Sequence, residues 1–180
     1  MIGITVRAAT PLDTPVLWRM LTFAASMDGG GGAEVVAHAQ ADPALCSYVQ
    51  GFGRSGDLGV IGALGERVVG AAWLRLLHGA PHPSKVWTAK VPELAIAVEP
   101  EARGGGAGGL LLEALIAAAG DRYPAIMLSV REGNAAVRLY ERFGFATERR
   151  VVNRVGGVSL VMRRPWRGSV FGQTCTFARW

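Results

Sequence analysis

The sequence predicts an α/β protein built on a mixed β-sheet, and three features carry that prediction. Segments with the alternating or continuous apolar pattern of strands interchange with segments of helical period. The earlier strands follow one another across short loops, as antiparallel strands do, whereas a helix separates two later strands, as in a parallel βαβ unit. Half of the 180 residues are hydrophobic and 18 % are charged, a composition of one compact domain that excludes a disordered chain.

The first half of the chain is predicted to form a strand, three helices and a hairpin. Residues 2–7 alternate apolar and polar side chains, as a half-buried strand does. Thr10-Pro11-Leu12-Asp13 is typical of a helix start, and this helix is expected to run to about Met27, before glycines 29–32. Two short helices and two strands joined by Gly65-Glu66 follow, at residues 33–40, 43–51, 58–64 and 67–77.

The second half is predicted to alternate strands and helices. Its elements are a strand at 93–98, a helix at 107–119, a strand at 125–130, a helix at 134–143, and strands at 145–152 and 158–162. Residues 78–88 form a proline-rich loop between the two halves. We therefore expect one domain over residues 1–165, followed by a tail of unknown role over residues 166–180.

Charge and composition narrow the class of partner. The net charge of +5 favours an anionic partner, but the arginines form no run and no aromatic side chains interleave with them, so no nucleic acid is expected. No signal-peptide pattern or membrane-length apolar stretch is present, so we expect a cytoplasmic protein with no membrane partner. Cys46 and Cys175 lie far apart. Pro81 and Pro83 rule out the regular helix that would bring His78 and His82 together, so no metal is expected.

A glycine cluster at residues 104–109 is the main functional signal. A buried strand runs into it and an apolar helix follows, so several backbone N–H groups converge at the positive end of a helix and form a site for phosphate oxygens. Gly104, Gly106 and Gly109 fit G-x-G-x-x-G. Three interpretations are open: a turn that only allows close packing, a dinucleotide turn with Glu132 as the ribose carboxylate, or another phosphate-binding loop.

Two longer phrases decide between these interpretations. Residues 97–108 read AVEPEARGGGAG and fit R-x-x-G-x-G, and residues 134–145 read NAAVRLYERFGF about 30 positions later. In both phrases the chain resembles the GNAT superfamily of acetyl-CoA-dependent N-acetyltransferases, in which the first phrase is the coenzyme A pyrophosphate loop. The resemblance implies a GNAT-like fold, with a mixed, mostly antiparallel sheet of about seven strands and helices on both faces.

The same resemblance implies a set of residues that bind acetyl-CoA along one strand, the glycine loop and one helix. They are Ile96, Ala97, Val98, Arg103, Gly104, Gly105, Gly106, Ala107, Gly108, Gly109, Asn134 and Tyr140. It also implies that an amine attacks the thioester directly, with the Val98 N–H as donor to the oxyanion and Tyr140 as the acid for the leaving thiolate. Taken alone, a tyrosine such as Tyr140 is more often a packed core aromatic than a catalytic residue.

The general base is the least constrained role. Ser129 stands where some family members have a glutamate, so Glu93, early in the strand before the loop, is the expected base, acting directly or through water. The alternative for Glu93 is a structural pair with a basic residue at a strand end. Trp73 and Arg75 share one face of a strand that could border the acceptor side, but we expect a packed Trp and a surface Arg.

The function implied is transfer of an acetyl group to a primary amine of a small molecule or peptide that the sequence does not identify. His78 and His82 lie in a loop that could contact this acceptor. Dimers are frequent in the family, so the resemblance implies that a homodimer is possible. Two alternatives differ in class: a nicotinamide-dependent oxidoreductase that uses the glycine turn, and a non-catalytic sensor that only binds acyl-CoA.

Overall fold

One sheet of seven strands runs through the residues that the computed structural model describes, which are 3–25, 30–77, 90–153 and 156–166. The strands are β1 Ile4–Ala8, β2 Leu58–Leu64, β3 Arg67–Arg75, β4 Glu93–Val98, β5 Ala125–Arg131, β6 Ala146–Val152 and β7 Val158–Pro165. They lie in the order β1-β2-β3-β4-β5-β7-β6. Every neighbouring pair is antiparallel except β4 and β5, which confirms the predicted mixed, mostly antiparallel sheet.

Helices cover both faces of this sheet, as predicted. They are α1 Thr14–Ala24, α2 Ala33–Ala41, α3 Pro43–Val49, α4 Ala107–Ala119 and α5 Ala136–Arg142, with short 3₁₀ turns at Pro11–Asp13 and Pro100–Ala102. Alternation along β3 separates two cores, because successive side chains of a strand point to opposite faces. Ala71 and Trp73 pack with α1, α2 and α3, whereas Ala72 and Leu74 pack with α4 and α5.

The predicted element order is correct, and the differences lie at element ends. The helix predicted at 134–143 spans only Ala136–Arg142, because the side chain of Asn134 accepts the Ala136 N–H at 2.9 Å and holds the preceding residues in a turn. Gly144, with a φ of +83°, ends that helix in the left-handed conformation typical of a glycine at a helix C-terminus. β7 extends past the predicted residue 162 because it pairs with β5 as far as Pro165.

Other boundaries also differ from the prediction. β3 ends at Arg75, two residues before the predicted end, and α1 ends at Ala24 rather than near Met27. Trp166 was assigned to the tail, yet its N–H donates to the Pro124 carbonyl at 3.0 Å, so it contacts the turn before β5. The rest of the predicted tail and the loop that holds His78 and His82 lie outside the described residues.

The one parallel pair in the described sheet opens almost as soon as it forms. β4 and β5 share a single paired position, Glu93 with Met127, and the Met127 N–H donates to the Pro92 carbonyl at 3.0 Å. After this point β5 pairs only with β7, while β4 stays paired with β3 up to Val98. The two strands therefore leave a gap at their carboxyl ends, where a ligand can reach main-chain groups that a continuous sheet would occupy.

Arg75 corrects one prediction, because it is fully buried and does not lie at the surface. Its guanidinium contacts Asp57 at 3.2 Å and donates to the carbonyls of Ser47 and Gln50, at 3.1 and 2.9 Å. Burial lowers the pKa of Arg75, and the Asp57 carboxylate opposes that effect. The sequence could not indicate this position, because the charge is compensated by groups at the end of α3 and in the following loop. Trp73, by contrast, is packed in the core, as expected.

An ion pair between the half-exposed Arg7 and the buried Asp13, at the start of the helical region, gives a prediction about stability. Arg7 donates to both carboxylate oxygens of Asp13, at 2.9 and 2.6 Å, and the Thr10 N–H donates at 2.8 Å. These bonds, the one from Arg7 first, hold the pKa of Asp13 well below its usual range. A lowered pKa in the folded state stabilises the fold above the unfolded-state pKa of about 4, and this contribution is lost as the pH falls.

Asp13→Asn should therefore lower the free energy of unfolding at pH 7 by about 1–2 kcal/mol, a value discounted because Arg7 is half exposed. The loss should be smaller at pH 3, where part of the wild-type contribution has already gone. Urea denaturation at the two pH values measures both quantities, with the exposed Asp121→Asn as control. An equal loss at both pH values would show that the carboxylate charge plays no part.

Candidate active site

The gap between β4 and β5 opens into a cleft of about 1570 Å³. Its walls come from β4, the glycine loop, the end of β5 and α5, and α1, α2 and α3 close it on the opposite side. Eleven of the twelve residues predicted to bind the cofactor line this cleft, and Gly105 is the exception. Glu93, the predicted base, lines it as well. The structure therefore brings together residues from three separate segments that the sequence motifs had named.

The glycine loop has the conformation of an anion-binding turn. Gly104 and Gly106 have φ values of +80° and +83°, a left-handed conformation that side chains disfavour. A Cβ placed on either glycine would meet no protein atom within 4 Å, so space for a ligand remains in front of both. α4 begins directly at Ala107. The N–H groups of Gly109 and Leu110 donate to the Gly106 carbonyl at 3.0 and 3.2 Å, whereas those of Ala107 and Gly108 have no partner within the helix. These features fit a bound diphosphate.

Arg103 and Glu99 hold this loop against the end of β4. Arg103 donates from Nε to the Val98 carbonyl at 2.9 Å and presents its remaining charge to the cleft. Glu99 is buried, and its carboxylate pairs with Arg19 at 2.8 Å and with Arg67 at 2.6 Å. No sequence pattern indicated this role for Glu99, because its two partners lie on α1 and at the start of β3. The loop is thus fixed to the sheet from both sides before any ligand binds.

The main chain of β4 presents two of the three predicted residues to the gap. The Glu99 N–H donates to the Val69 carbonyl at 2.8 Å, toward β3. Because peptide groups along a strand alternate in direction, the N–H groups of Ile96 and Val98 point the other way, toward β5. The N–H and C=O of Ala97 then face β3, so Ala97 contributes its methyl group to the cleft.

Asn134 and Tyr140 line the cleft from the loop before α5 and from α5 itself. Tyr140 is 7 % exposed and packs edge to face against Phe145, with ring centroids 5.9 Å apart. No described residue accepts a hydrogen bond from its hydroxyl. Burial raises the pKa of Tyr140 to about 12, so the phenol stays protonated and can donate throughout the neutral range.

Glu93 lies at the start of β4, where β5 is still paired with it. It is 6 % exposed, and its Oε1 accepts a hydrogen bond of 2.5 Å from the Tyr48 hydroxyl on α3. Arg75 is its neighbour on β3, but the Arg75 guanidinium is directed to Asp57 and the end of α3. Glu93 is thus a buried carboxylate beside the cleft. Its role as the general base remains a prediction.

The family model of the GNAT acetyltransferases matches residues 32–145 of this chain. The chain belongs to the GNAT family. It is an acetyltransferase that uses acetyl-CoA as acyl donor, and the cleft between β4 and β5 has the conformation and the donor groups to hold that molecule. This finding overturns the alternative of a nicotinamide-dependent oxidoreductase. It also assigns the chain to a family of enzymes, against the alternative of a sensor that only binds acyl-CoA.

Solved structures of other acetyltransferases share this fold. A ribosomal-protein-alanine N-acetyltransferase from Brucella melitensis is 23% identical, with a TM-score of 0.65 over 90% of this chain and 99% of that one. The protein yncA from Salmonella typhimurium, solved with its cofactor acetyl-CoA, is 18% identical, with a TM-score of 0.66 over 96% and 99%. The aminoglycoside acetyltransferase AAC(6')-Ib, solved with coenzyme A, is 18% identical, with a TM-score of 0.61 over 92% and 96%. A comparison with curated proteins gives no significant match.

Charges in the cleft of this GNAT protein are separated by sign. Arg103, Arg131 and Arg142 line the side of the glycine loop and α5, which is the side predicted to bind the anionic cofactor. The side formed by α2, α3 and the start of β4 is lined by Glu34, His38, Asp42 and Glu93, and no described lysine or arginine lines it. Glu34, His38 and Asp42 recur every fourth residue, but nothing in the sequence pattern indicated that α2 lies beside β4.

Several other predicted residues lie outside the cleft of the GNAT fold. Trp73 and Arg75 anchor α3 and do not line the cleft. Glu132, the alternative ribose carboxylate, pairs with Arg150 at 2.6 Å.

Among the described residues no three His, Cys, Asp or Glu side chains are grouped as a metal site. None of the helices in the described ranges is long and apolar enough to cross a membrane.

Proposed function

We propose that this acetyltransferase transfers the acetyl group to a primary amine that attacks acetyl-CoA directly, without an acyl-enzyme. The single observation that supports this most is the continuous cleft, which joins the glycine loop to the carboxylates beside α2 and α3. In the reaction a C–N bond forms as the C–S bond breaks. An amine that arrives as an ammonium ion loses one proton before it attacks and a second as the amide forms, and this second proton balances the one that the leaving thiolate takes. The residues of this chain must therefore stabilise an oxyanion, accept one proton and supply another.

The N–H groups of Ile96 and Val98 are the proposed donors along β4. Both face the gap, and an N–H fixed in a strand stabilises charge as it develops because it needs no reorientation. Val98 lies five residues from Glu93, about 16 Å along the strand, whereas Ile96 lies about 10 Å from it. A carbonyl bound near Ile96 is therefore within reach of Glu93 through water, which makes Ile96 the better oxyanion donor and leaves Val98 to the pantetheine arm.

The proposed proton acceptor is Glu93, and the proposed proton donor is Tyr140. A lysine ammonium titrates near about 10.4 and an α-ammonium near about 8, so most amine acceptors arrive protonated at neutral pH. Glu93 would take that proton through water, and the Tyr140 hydroxyl would donate to the leaving sulfur. Support for these roles comes from the position of both groups in one cleft and from the protonated state of Tyr140.

The acceptor side favours an amine that enters as a cation. Glu34, Asp42 and Glu93 surround it, so a local negative potential would attract an ammonium ion although the whole chain carries a net charge of +5. AAC(6')-Ib, a structure of the same fold, has been solved with aminoglycosides, which carry amines. We propose a small-molecule or peptide amine as acceptor on these grounds.

Thermal unfolding with ligands tests the donor, and thiol release tests the reaction. Acetyl-CoA or coenzyme A at about 100 times its Kd should stabilise the fold by about 2.7 kcal/mol, which raises Tm by roughly 5–10 °C, whereas NAD should not. Spermidine, glycinamide, lysine and kanamycin then serve as acceptors in a thiol-release assay. A CoA-dependent shift without thiol release from any amine, including ones as small as methylamine, would contradict the proposed acetylation.

A further inference from the structure

A tyrosine outside the family motifs contacts the proposed base. The Tyr48 hydroxyl on α3 donates to Oε1 of Glu93 at 2.5 Å, and Tyr48 lines the same cleft. Hydrogen bonds to a carboxylate are among the stronger ones in proteins, at about 1.5–3 kcal/mol, and they fix its orientation. A carboxylate has room for about four hydrogen bonds, and the bond from Tyr48 takes one of them.

The position of Tyr48 is set by β3, the strand next to β4. Trp73 donates from Nε1 to the Tyr48 carbonyl at 2.8 Å, and Arg75 donates to the carbonyls of Ser47 and Gln50 on either side of it. Both residues are fully buried, and Asp57 compensates the charge of Arg75. On β4 the partners of Trp73 and Arg75 are Ala95 and Glu93.

These contacts form a closed path from β3 through α3 and Tyr48 to Glu93 on β4. A helix of seven residues has little stability of its own, so its place depends on such contacts. Core packing alone would not require these hydrogen bonds, in which two buried polar side chains of β3, Trp73 and Arg75, are directed to one turn of α3. The series of contacts ends at the Glu93 carboxylate, which lines the cleft.

We propose that Tyr48 is a positioning residue that holds the Glu93 carboxylate oriented to accept the proton of the amine, an inference that rests on the proposed role of Glu93. The proton moves from the ammonium through water to Glu93. Tyr48 keeps its own proton and donates its hydrogen bond throughout, so the step balances without any other reactant. The loss of Tyr48 would therefore slow transfer to acceptors that must lose a proton before they attack. It would leave the rate with nucleophiles that are already neutral nearly unchanged.

The test compares two nucleophiles small enough to enter the cleft whatever the natural acceptor is. Methylamine is protonated at pH 7.5, whereas hydroxylamine is neutral there and needs no base before it attacks. With thiol release corrected for the uncatalysed reaction, Tyr48→Phe should lower kcat with methylamine about tenfold and change kcat with hydroxylamine less than about threefold. The KM for acetyl-CoA should stay unchanged. Glu93→Gln should show the same selectivity with a loss of about 100-fold, and the double variant should lose no more than Glu93→Gln alone.

Tyr123→Phe is the matched control, because this buried tyrosine also donates a hydrogen bond, to the Gly56 carbonyl, and does not line the cleft. It should lower stability without separating the two nucleophiles. If Tyr48→Phe lowers both rates equally, or adds its loss to that of Glu93→Gln, Tyr48 only supports packing and this inference is wrong. If Glu93→Gln does not separate the nucleophiles, the proposed base is wrong, and if the wild type releases no thiol with either one, the proposed acetylation itself fails.

Discussion

Replacing Gly106 with glutamate is expected to abolish acetyl-CoA binding and leave the chain folded. Gly106 precedes α4 with a φ of +83°, and a Cβ there would point into space that no protein atom fills within 4 Å. In the native loop this space gives phosphate oxygens access to backbone N–H groups. The new side chain would fill it and set a carboxylate against a diphosphate, so we expect the Kd to rise at least about 100-fold, the effect of two or more lost charge-assisted hydrogen bonds.

Titration calorimetry with coenzyme A measures this loss, and Gly51→Glu provides the control. Gly51 also has a positive φ, of +64°, and an unobstructed Cβ position, but it follows α3 at the other end of β4 from the loop. Both variants therefore add the same charge and comparable backbone strain. We expect Gly51→Glu to keep wild-type affinity. Retained affinity in Gly106→Glu would mean that the glycine turn serves packing alone.

The cofactor half of the site could be predicted from the sequence because its parts are local. β4 and α4 have the predicted bounds, since an apolar strand, a glycine turn and an apolar helix follow one another without a long loop. Each N–H that faces the diphosphate belongs to this one segment. The gap between β4 and β5 is less local, and it was predictable only through the family resemblance carried by residues 97–108 and 134–145.

The acceptor half could not be predicted, because distant residues create it. Glu34, His38 and Tyr48 lie on short helices whose own patterns do not indicate which strand they contact. Arg75 was expected at the surface, since a lone arginine in a strand carries no sign that Asp57 and helix carbonyls 25 and 28 positions away will compensate it. The closed path through Tyr48 is visible only once β3, α3 and β4 are in place. Local sequence patterns thus define the donor site, whereas tertiary contacts define the acceptor site.

Tyr140→Phe should lower kcat about 100-fold while the affinity for acetyl-CoA stays nearly unchanged. The hydroxyl has no acceptor among the described residues, so its removal costs little in the free protein and acts on the step in which the thiolate leaves. The ring and its edge contact with Phe145 would remain. Single-turnover thiol release with methylamine measures the chemical step, and Tyr123→Phe serves again as the control for a lost tyrosine hydroxyl. Unchanged single-turnover rates would remove Tyr140 from the mechanism.

The pH dependence gives a second test of the same residue. Burial disfavours the phenolate, so the pKa of Tyr140 rises to about 12 and its hydroxyl is not titrated in the usual assay range. Rates with hydroxylamine, which is already neutral and needs no deprotonation before it attacks, should therefore show no loss from ionisation of Tyr140 between pH 7 and 10. A fall in wild-type rate within that range that is absent in Tyr140→Phe would mean that the phenol ionises there. In that case Tyr140 would lose its proton before the thiolate forms, and it could not act as the proton donor at the upper end of the range.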